Sequence, residues 1–172
     1  MPSGHMLLIA LVLPLLTGCY QAVKPMISDG DAVFPFTRLT YKEVGEDELF
    51  TLVRKGDEYV DPEDETAPKV RFQELRPNVY LAQGHFVIED AEFYSLAVIE
   101  ADLSRPGVVL HAGFADKSGP PAEKLADHGF TGCDHLENMV CLDSLDPYLT
   151  YALARLDGGE APDIKFEIIS HE

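Results

Sequence analysis

Over most of the chain, apolar and polar residues alternate in short runs separated by turn formers. This pattern predicts the strands of a sheet, in which successive side chains face opposite sides. Leu39-Thr40-Tyr41-Lys42 opens the series, and Glu48 to Arg54 is a stronger run. Lys55-Gly56-Asp57 predicts a turn into the short return Glu58-Tyr59-Val60. Three longer strands are predicted at Val70 to Leu75, Val79 to Val87 and Glu92 to Ala101, separated by Arg76-Pro77-Asn78 and Glu89-Asp90. Val79 and Leu81 alternate with Tyr80 and Ala82, whereas Phe93 and Tyr94 stand side by side. Both sheet faces are therefore expected to be partly covered. Val108 to Ala112, after Pro106-Gly107, is a further strand.

The pattern changes after residue 118. Pro120 to Gly129 predicts a short helix, with proline in its first turn and glycine at its end. Leu145 to Leu156 predicts another, because Leu145, Leu149, Ala152, Leu153 and Leu156 share one face. Asp143 or Ser144 is its expected cap, Asp146-Pro147 occupies its first turn, and Gly158-Gly159 ends it. Ile164 to Ile169 predicts a closing strand. The expected fold is mainly β (α+β): an antiparallel meander or small barrel-like sheet with short C-terminal helices. Strands joined by short links do not give the alternation of strand and helix that a doubly wound sheet requires. One domain is expected over residues 37–172, with its helical segment near 120–157.

The N-terminus breaks this pattern. Met6 to Leu16 is an uninterrupted apolar run apart from Pro14. As a helix it spans about 16 Å, too short for a bilayer core of about 30 Å. At the extreme N-terminus such a run reads as the hydrophobic region of a signal peptide. Leu16-Thr17-Gly18-Cys19 follows and resembles the lipobox of bacterial lipoproteins. That resemblance covers residues 1–19 and implies cleavage before Cys19. It also implies diacylglycerol on the Cys19 sulfur and an acyl chain on its new amino group. Residues 1–18 would then be the signal peptide and 19–36 a lipidated tether containing Pro25, Pro35 and Ser28-Asp29-Gly30-Asp31. In enteric-type lipoproteins Asp after the cysteine retains the protein in the inner membrane. Tyr20 stands there instead, so the resemblance implies the periplasmic face of the outer membrane. The competing reading is a hydrophobic N-terminal helix buried in the fold.

Charge narrows the partners. The formal net charge is −17, and residues 1–18 contribute no Lys, Arg, Asp or Glu. The body therefore carries the whole charge and repels nucleic-acid phosphates and anionic headgroups. Nucleic acid is excluded as a partner, membrane attachment is expected through the lipid alone, and a protein partner is compatible with the acidic surface.

With Cys19 lipidated, Cys133 and Cys141 remain. Outside the cytoplasm they are expected to pair as a disulfide, worth about 2–3 kcal/mol in the chain-entropy account for so short a loop. A zinc site from His128, Cys133, His135 and Cys141 is the competing reading, but the spacing matches no familiar finger. No metal or cofactor is expected. The glycine-driven, twelve-residue calcium-loop pattern is missing from Gly45-Glu46-Asp47-Glu48 and from Asp61-Pro62-Glu63-Asp64-Glu65. His85, His111 and His135 offer bases and Ser95, Ser104 and Ser118 offer hydroxyls, none of them within Gly-x-Ser-x-Gly. The expected function is that of a lipid-anchored envelope accessory or binding protein without catalytic residues, its interaction face drawn from Tyr80, Phe86, Phe93 or Tyr94. The alternative is a small periplasmic hydrolase with a cleft built around His85 or His111.

Overall fold

Alternating side chains become eleven strands in a computed structural model that describes residues 20–88, 91–103, 105–107, 109–112, 130–132, 140–161 and 164–172. They are β1 (Tyr20–Ala22), β2 (Arg38–Glu43), β3 (Phe50–Lys55), β4 (Glu58–Val60), β5 (Lys69–Arg76), β6 (Val79–Ile88), β7 (Ala91–Glu100), β8 (Val109–Ala112), β9 (Thr131–Gly132), β10 (Val140–Cys141) and β11 (Ile164–His171). One helix, α1 (Asp146–Asp157), is present among the described residues. The mainly β expectation holds. The predicted helix at Pro120 to Gly129 lies outside the described residues.

The sheet closes on itself. From β6 the pairing runs through β5, β4, β3, β2, β11, β8 and β7, and β7 pairs back onto β6. Every pairing around this ring is antiparallel. At this strand number a barrel interior is just wide enough to be filled by side chains. It is filled by aromatic and aliphatic side chains in equal number. Leu39, Tyr41, Phe50, Leu52, Tyr59, Val70, Phe72, Tyr80, Ala82, Ile99, Phe166 and Ile168 all belong to one buried cluster. Tyr41 lies 5.6 Å from Phe50 and 5.5 Å from Phe166, ring to ring. Phe36 packs 4.2 Å from Tyr59, and the Tyr59 hydroxyl donates to the Phe36 carbonyl at 2.8 Å. Tight turns set the register. Gly56 between β3 and β4 and Asn78 between β5 and β6 both have positive φ, which glycine and asparagine tolerate best.

Strand β7 forks the sheet. One edge pairs with β6 along its whole length. On the other, Ile99 and Glu100 pair with β8, while Tyr94 and Ser95 pair with β1. Strand β1 then pairs in parallel with β10, and β10 antiparallel with β9, which makes the whole sheet mixed. This extension and α1 cover the outer wall of β6 and β7. Val79, Leu81, Leu96 and Val98 form a second core there with Tyr20, Phe130, Val140, Leu142, Tyr148 and Ala152. The apolar helix face predicted from Leu145 to Leu156 packs here, although Tyr148 is its most deeply buried large side chain. Neither Asp143 nor Ser144 caps the helix: Leu145 holds that position without a side-chain hydrogen bond.

The expected tether over 19–36 is corrected by the fold. Residues 20–36 begin with β1 and continue as a strap across the barrel wall. The Gln83 side-chain oxygen accepts the backbone N–H groups of Met26 at 2.6 Å and Ile27 at 3.0 Å. Asp29 pairs with Arg71 at 2.7 Å, and the Val33 N–H donates to the Phe72 carbonyl at 2.8 Å. Proline and turn residues make the segment irregular, but Tyr20, Ala22, Ile27 and Phe36 are buried, while Val23 is exposed.

Candidate interaction site

Strands β6 and β7 outrun their neighbours. Lys69–His85 is the last pair β5 makes with β6, and Ala22–Tyr94 the last β1 makes with β7 in that direction. Beyond them, residues 86–88 pair only with residues 91–93 among the described residues. The result is an arm of about 10 Å, three residues at about 3.3 Å each. Phe86 packs back against the barrel core, while Val87 is 63 % exposed.

A polar cluster sits at the base of the arm. His85 and Tyr94 oppose each other across the two strands and stack, 4.8 Å apart with ring planes 10° from parallel. Glu92, two residues before Tyr94, lies on the same face. Its Oε2 accepts the Tyr94 hydroxyl at 3.2 Å and lies 3.8 Å from His85 Nε2. The His85 Nε2 atom is buried and makes no hydrogen bond. Burial, and then the hydrogen bond to Glu92, raise the pKa of Tyr94, so the phenol stays protonated and remains a donor. The Glu92 side chain is 61 % exposed. The cluster thus presents one carboxylate beside an aromatic platform, an arrangement suited to an incoming ammonium or guanidinium.

Next to it, Arg71 gathers three acids: Asp29 at 2.7 Å, Asp57 at 2.9 Å and Glu58 at 3.6 Å. Its guanidinium ties the strap, the β3–β4 turn and β5 together, which accounts for it as a structural clamp. Neither Arg71 nor Gln83 stands out in the sequence as a site residue. The signal for Gln83 is a polar residue continuing the apolar face of Val79 and Leu81.

The residues singled out for catalysis are separated. Ser95 follows Tyr94 and therefore faces the opposite side of β7 from the His85 stack; its hydroxyl is buried without a hydrogen bond. His85 has a neighbouring carboxylate, but Ser95 is not within its reach. The His111 backbone pairs with Glu100 and Lys165. Its side chain, together with Ser104, Ser118, His128, Cys133 and His135, lies outside the described residues. Of the proposed interaction face, Tyr80 belongs to the barrel interior, Phe86 and Phe93 are half-buried on the arm, and Tyr94 lies at its base.

The acidic loop at Asp61 to Glu65 forms hydrogen bonds within itself. Asp61 Oδ1 accepts the Glu63 N–H at 2.8 Å, and Asp64 Oδ1 accepts the Thr66 N–H at 2.8 Å and its hydroxyl at 2.6 Å. These bonds, led by the Thr66 hydroxyl, lower the pKa of Asp64. Among the described residues no group of three or more His, Cys, Asp or Glu side chains is placed to hold a metal ion.

Cys19 precedes the described residues. Among these, no helix is long and apolar enough to cross a membrane. Cys141 ends β10, opposite Thr131, and Val140 pairs with Gly132, the residue before Cys133. Cys133 lies one residue beyond this pairing, outside the described residues. If Cys133 and Cys141 pair as expected, the purified protein should have an intact mass two hydrogens below that of its reduced form. Labelling of both thiols without prior reduction would remove the disulfide.

No known protein family, curated protein or solved structure matches the chain.

Proposed function

We propose that this chain is a lipid-anchored accessory protein of the bacterial envelope, on the periplasmic face of the outer membrane, that acts by binding a protein partner. The anchor is Cys19, read from Leu16-Thr17-Gly18-Cys19. The observation that carries the binding reading is the projecting β6–β7 arm, with Val87 exposed and the Glu92 carboxylate held by Tyr94 at its base. The barrel interior is occupied by aromatic and aliphatic side chains, which directs recognition to the outer surface. An acidic body with an exposed carboxylate beside stacked rings favours a partner that presents Lys or Arg. The disulfide between Cys133 and Cys141 belongs to the same extracytoplasmic reading.

Several acyl chains on one residue hold a protein durably, since each buried CH₂ contributes about 0.8 kcal/mol. Expressed with its own signal in a bacterial host, the chain should incorporate labelled palmitate and fractionate with outer membrane. Cys19→Ser should abolish the label and release the protein to the soluble fraction. Envelope retention of the unlabelled variant would sink the anchor. Crosslinking in the envelope through residue 87 should recover one stoichiometric partner, and Glu92→Lys should reduce that recovery about tenfold, the equivalent of one charge-assisted contact. Equal recovery with Glu92→Lys would remove the arm from the interaction.

A further inference from the structure

Resting on the lipid-anchor reading, we infer that the barrel is seated directly on the bilayer surface, with its β1–β10–β9 flank against lipid headgroups. Cys19 is followed at once by Tyr20, which has no exposed surface. The Tyr20 ring lies 5.5 Å from Phe130, 4.8 Å from Tyr148 and 6.3 Å from Tyr151. Strand β1 is held on both edges: Gln21 and Ala22 pair with Ser95 and Tyr94 of β7, and Tyr20 and Gln21 pair with Val140 and Cys141 of β10. The Leu142 N–H adds a bond to the Gln21 carbonyl at 2.7 Å.

Freeing this strand from the barrel breaks both ladders and exposes Tyr20 and Ala22 together. The strand therefore stays in place while the lipid holds the chain. The distances decide the consequence. A flexible tether over residues 20–36 would have a root-mean-square reach of about 23 Å. One residue reaches at most about 3.6 Å. The acyl chains thus leave from beside a buried strand, and the flank around it comes down to headgroup level.

The charge of the body selects the lipid. It carries the whole formal charge of −17, and the exposed acids Asp143 and Asp146 follow β10, which runs parallel to β1, towards the same end of the flank as Lys24. Acidic groups at the surface are repelled by anionic headgroups and tolerated by zwitterionic ones. The fitting surface is zwitterionic lipid.

The test uses the full acylated chain in phosphatidylcholine vesicles carrying a lipid-phase acceptor. A fluorescent amino acid is encoded at Ser144, three residues past β10, or at Lys55, on the strand across the barrel from β7. Energy transfer from position 144 should exceed that from position 55 by about twofold or more, and a Gly/Ser linker inserted after Cys19 should abolish the difference. Backbone amides of residues 20–22 should stay protected from hydrogen exchange on the vesicles. Replacing part of the phosphatidylcholine with phosphatidylglycerol should lower the transfer at position 144 at low salt, and added salt should restore it. Protein that floats with the vesicles but shows equal transfer from both positions, or freely exchanging amides at 20–22, overturns the seat and leaves the anchor standing. Indifference to phosphatidylglycerol overturns the lipid preference. Protein that carries no acyl group and does not float overturns the anchor reading, and the seat with it.

Discussion

Replacing Gln83 with Leu is expected to destabilise the fold by about 2–5 kcal/mol and to detach the strap. The side chain is 2 % exposed, and its oxygen is the acceptor for two consecutive backbone N–H groups, those of Met26 and Ile27. Leucine matches its bulk closely and offers no acceptor. Each buried donor left unsatisfied costs about 1–3 kcal/mol, a large share of the 5–15 kcal/mol that holds a typical domain together. The loss should show as a lower urea midpoint with an unchanged slope. Amide exchange at residues 26 and 27 should accelerate more than exchange in β5 or β6. Gln73→Leu, on the same barrel wall but with no such bond, should shift stability by less than about 0.5 kcal/mol. Equal effects of the two substitutions would mean that the strap is held by something other than Gln83.

Alkaline unfolding is the second large effect. The barrel buries tyrosines whose phenols are held protonated. Burial pushes Tyr59 up to about 12, against a smaller opposing effect of its hydrogen bond with Phe36. Burial raises Tyr41 well above its ordinary value, with nearby Asp61 adding to the shift. In the outer core burial raises Tyr148 as well. These phenols release their protons more readily when unfolded, at a pKa near 10. Their contribution to stability is therefore complete below about pH 10 and is lost as pH rises through 12 and beyond. Stability should be level up to about pH 10 and then fall steeply. The phenolate absorbance of these residues should appear together with loss of the β signal. Phenolate signal from all seven tyrosines, well before any unfolding, would contradict the closed, side-chain-filled interior.

How far the sequence reveals this fold depends on the length of each pairing. Glu58-Tyr59-Val60 is legible because Lys55-Gly56-Asp57 announces the turn and three residues suffice for its return. The ten-residue strands β6 and β7 are legible from their apolar content, and α1 from its 3.6-residue spacing. The strands β1, β9 and β10 are not. Each has two or three residues, too few for any period, and the partners of β1 lie far away in the chain: Tyr20 meets Val140 and Ala22 meets Tyr94. Barrel closure is hidden for the same reason, because it depends on β11 meeting β2 across nearly the whole chain. The site is legible in part. His85, Phe86, Phe93 and Tyr94 attract notice by residue type. Only the register between β6 and β7 shows that His85, Tyr94 and Glu92 share a face while Ser95 turns away from it.

The fork at β7 has a consequence in time. A secreted chain crosses the membrane with its N-terminus leading, so Tyr20 arrives before either strand that will hold it. Strand β1 has no β7 edge until Ser95 has crossed and no β10 edge until Cys141 has crossed. On the proposed export route, the segment next to Cys19 would thus lack both of its strand partners until those residues had crossed. An enzyme acting on Cys19 would meet extended chain, and the same residue would be drawn against the barrel only when the last strands arrived.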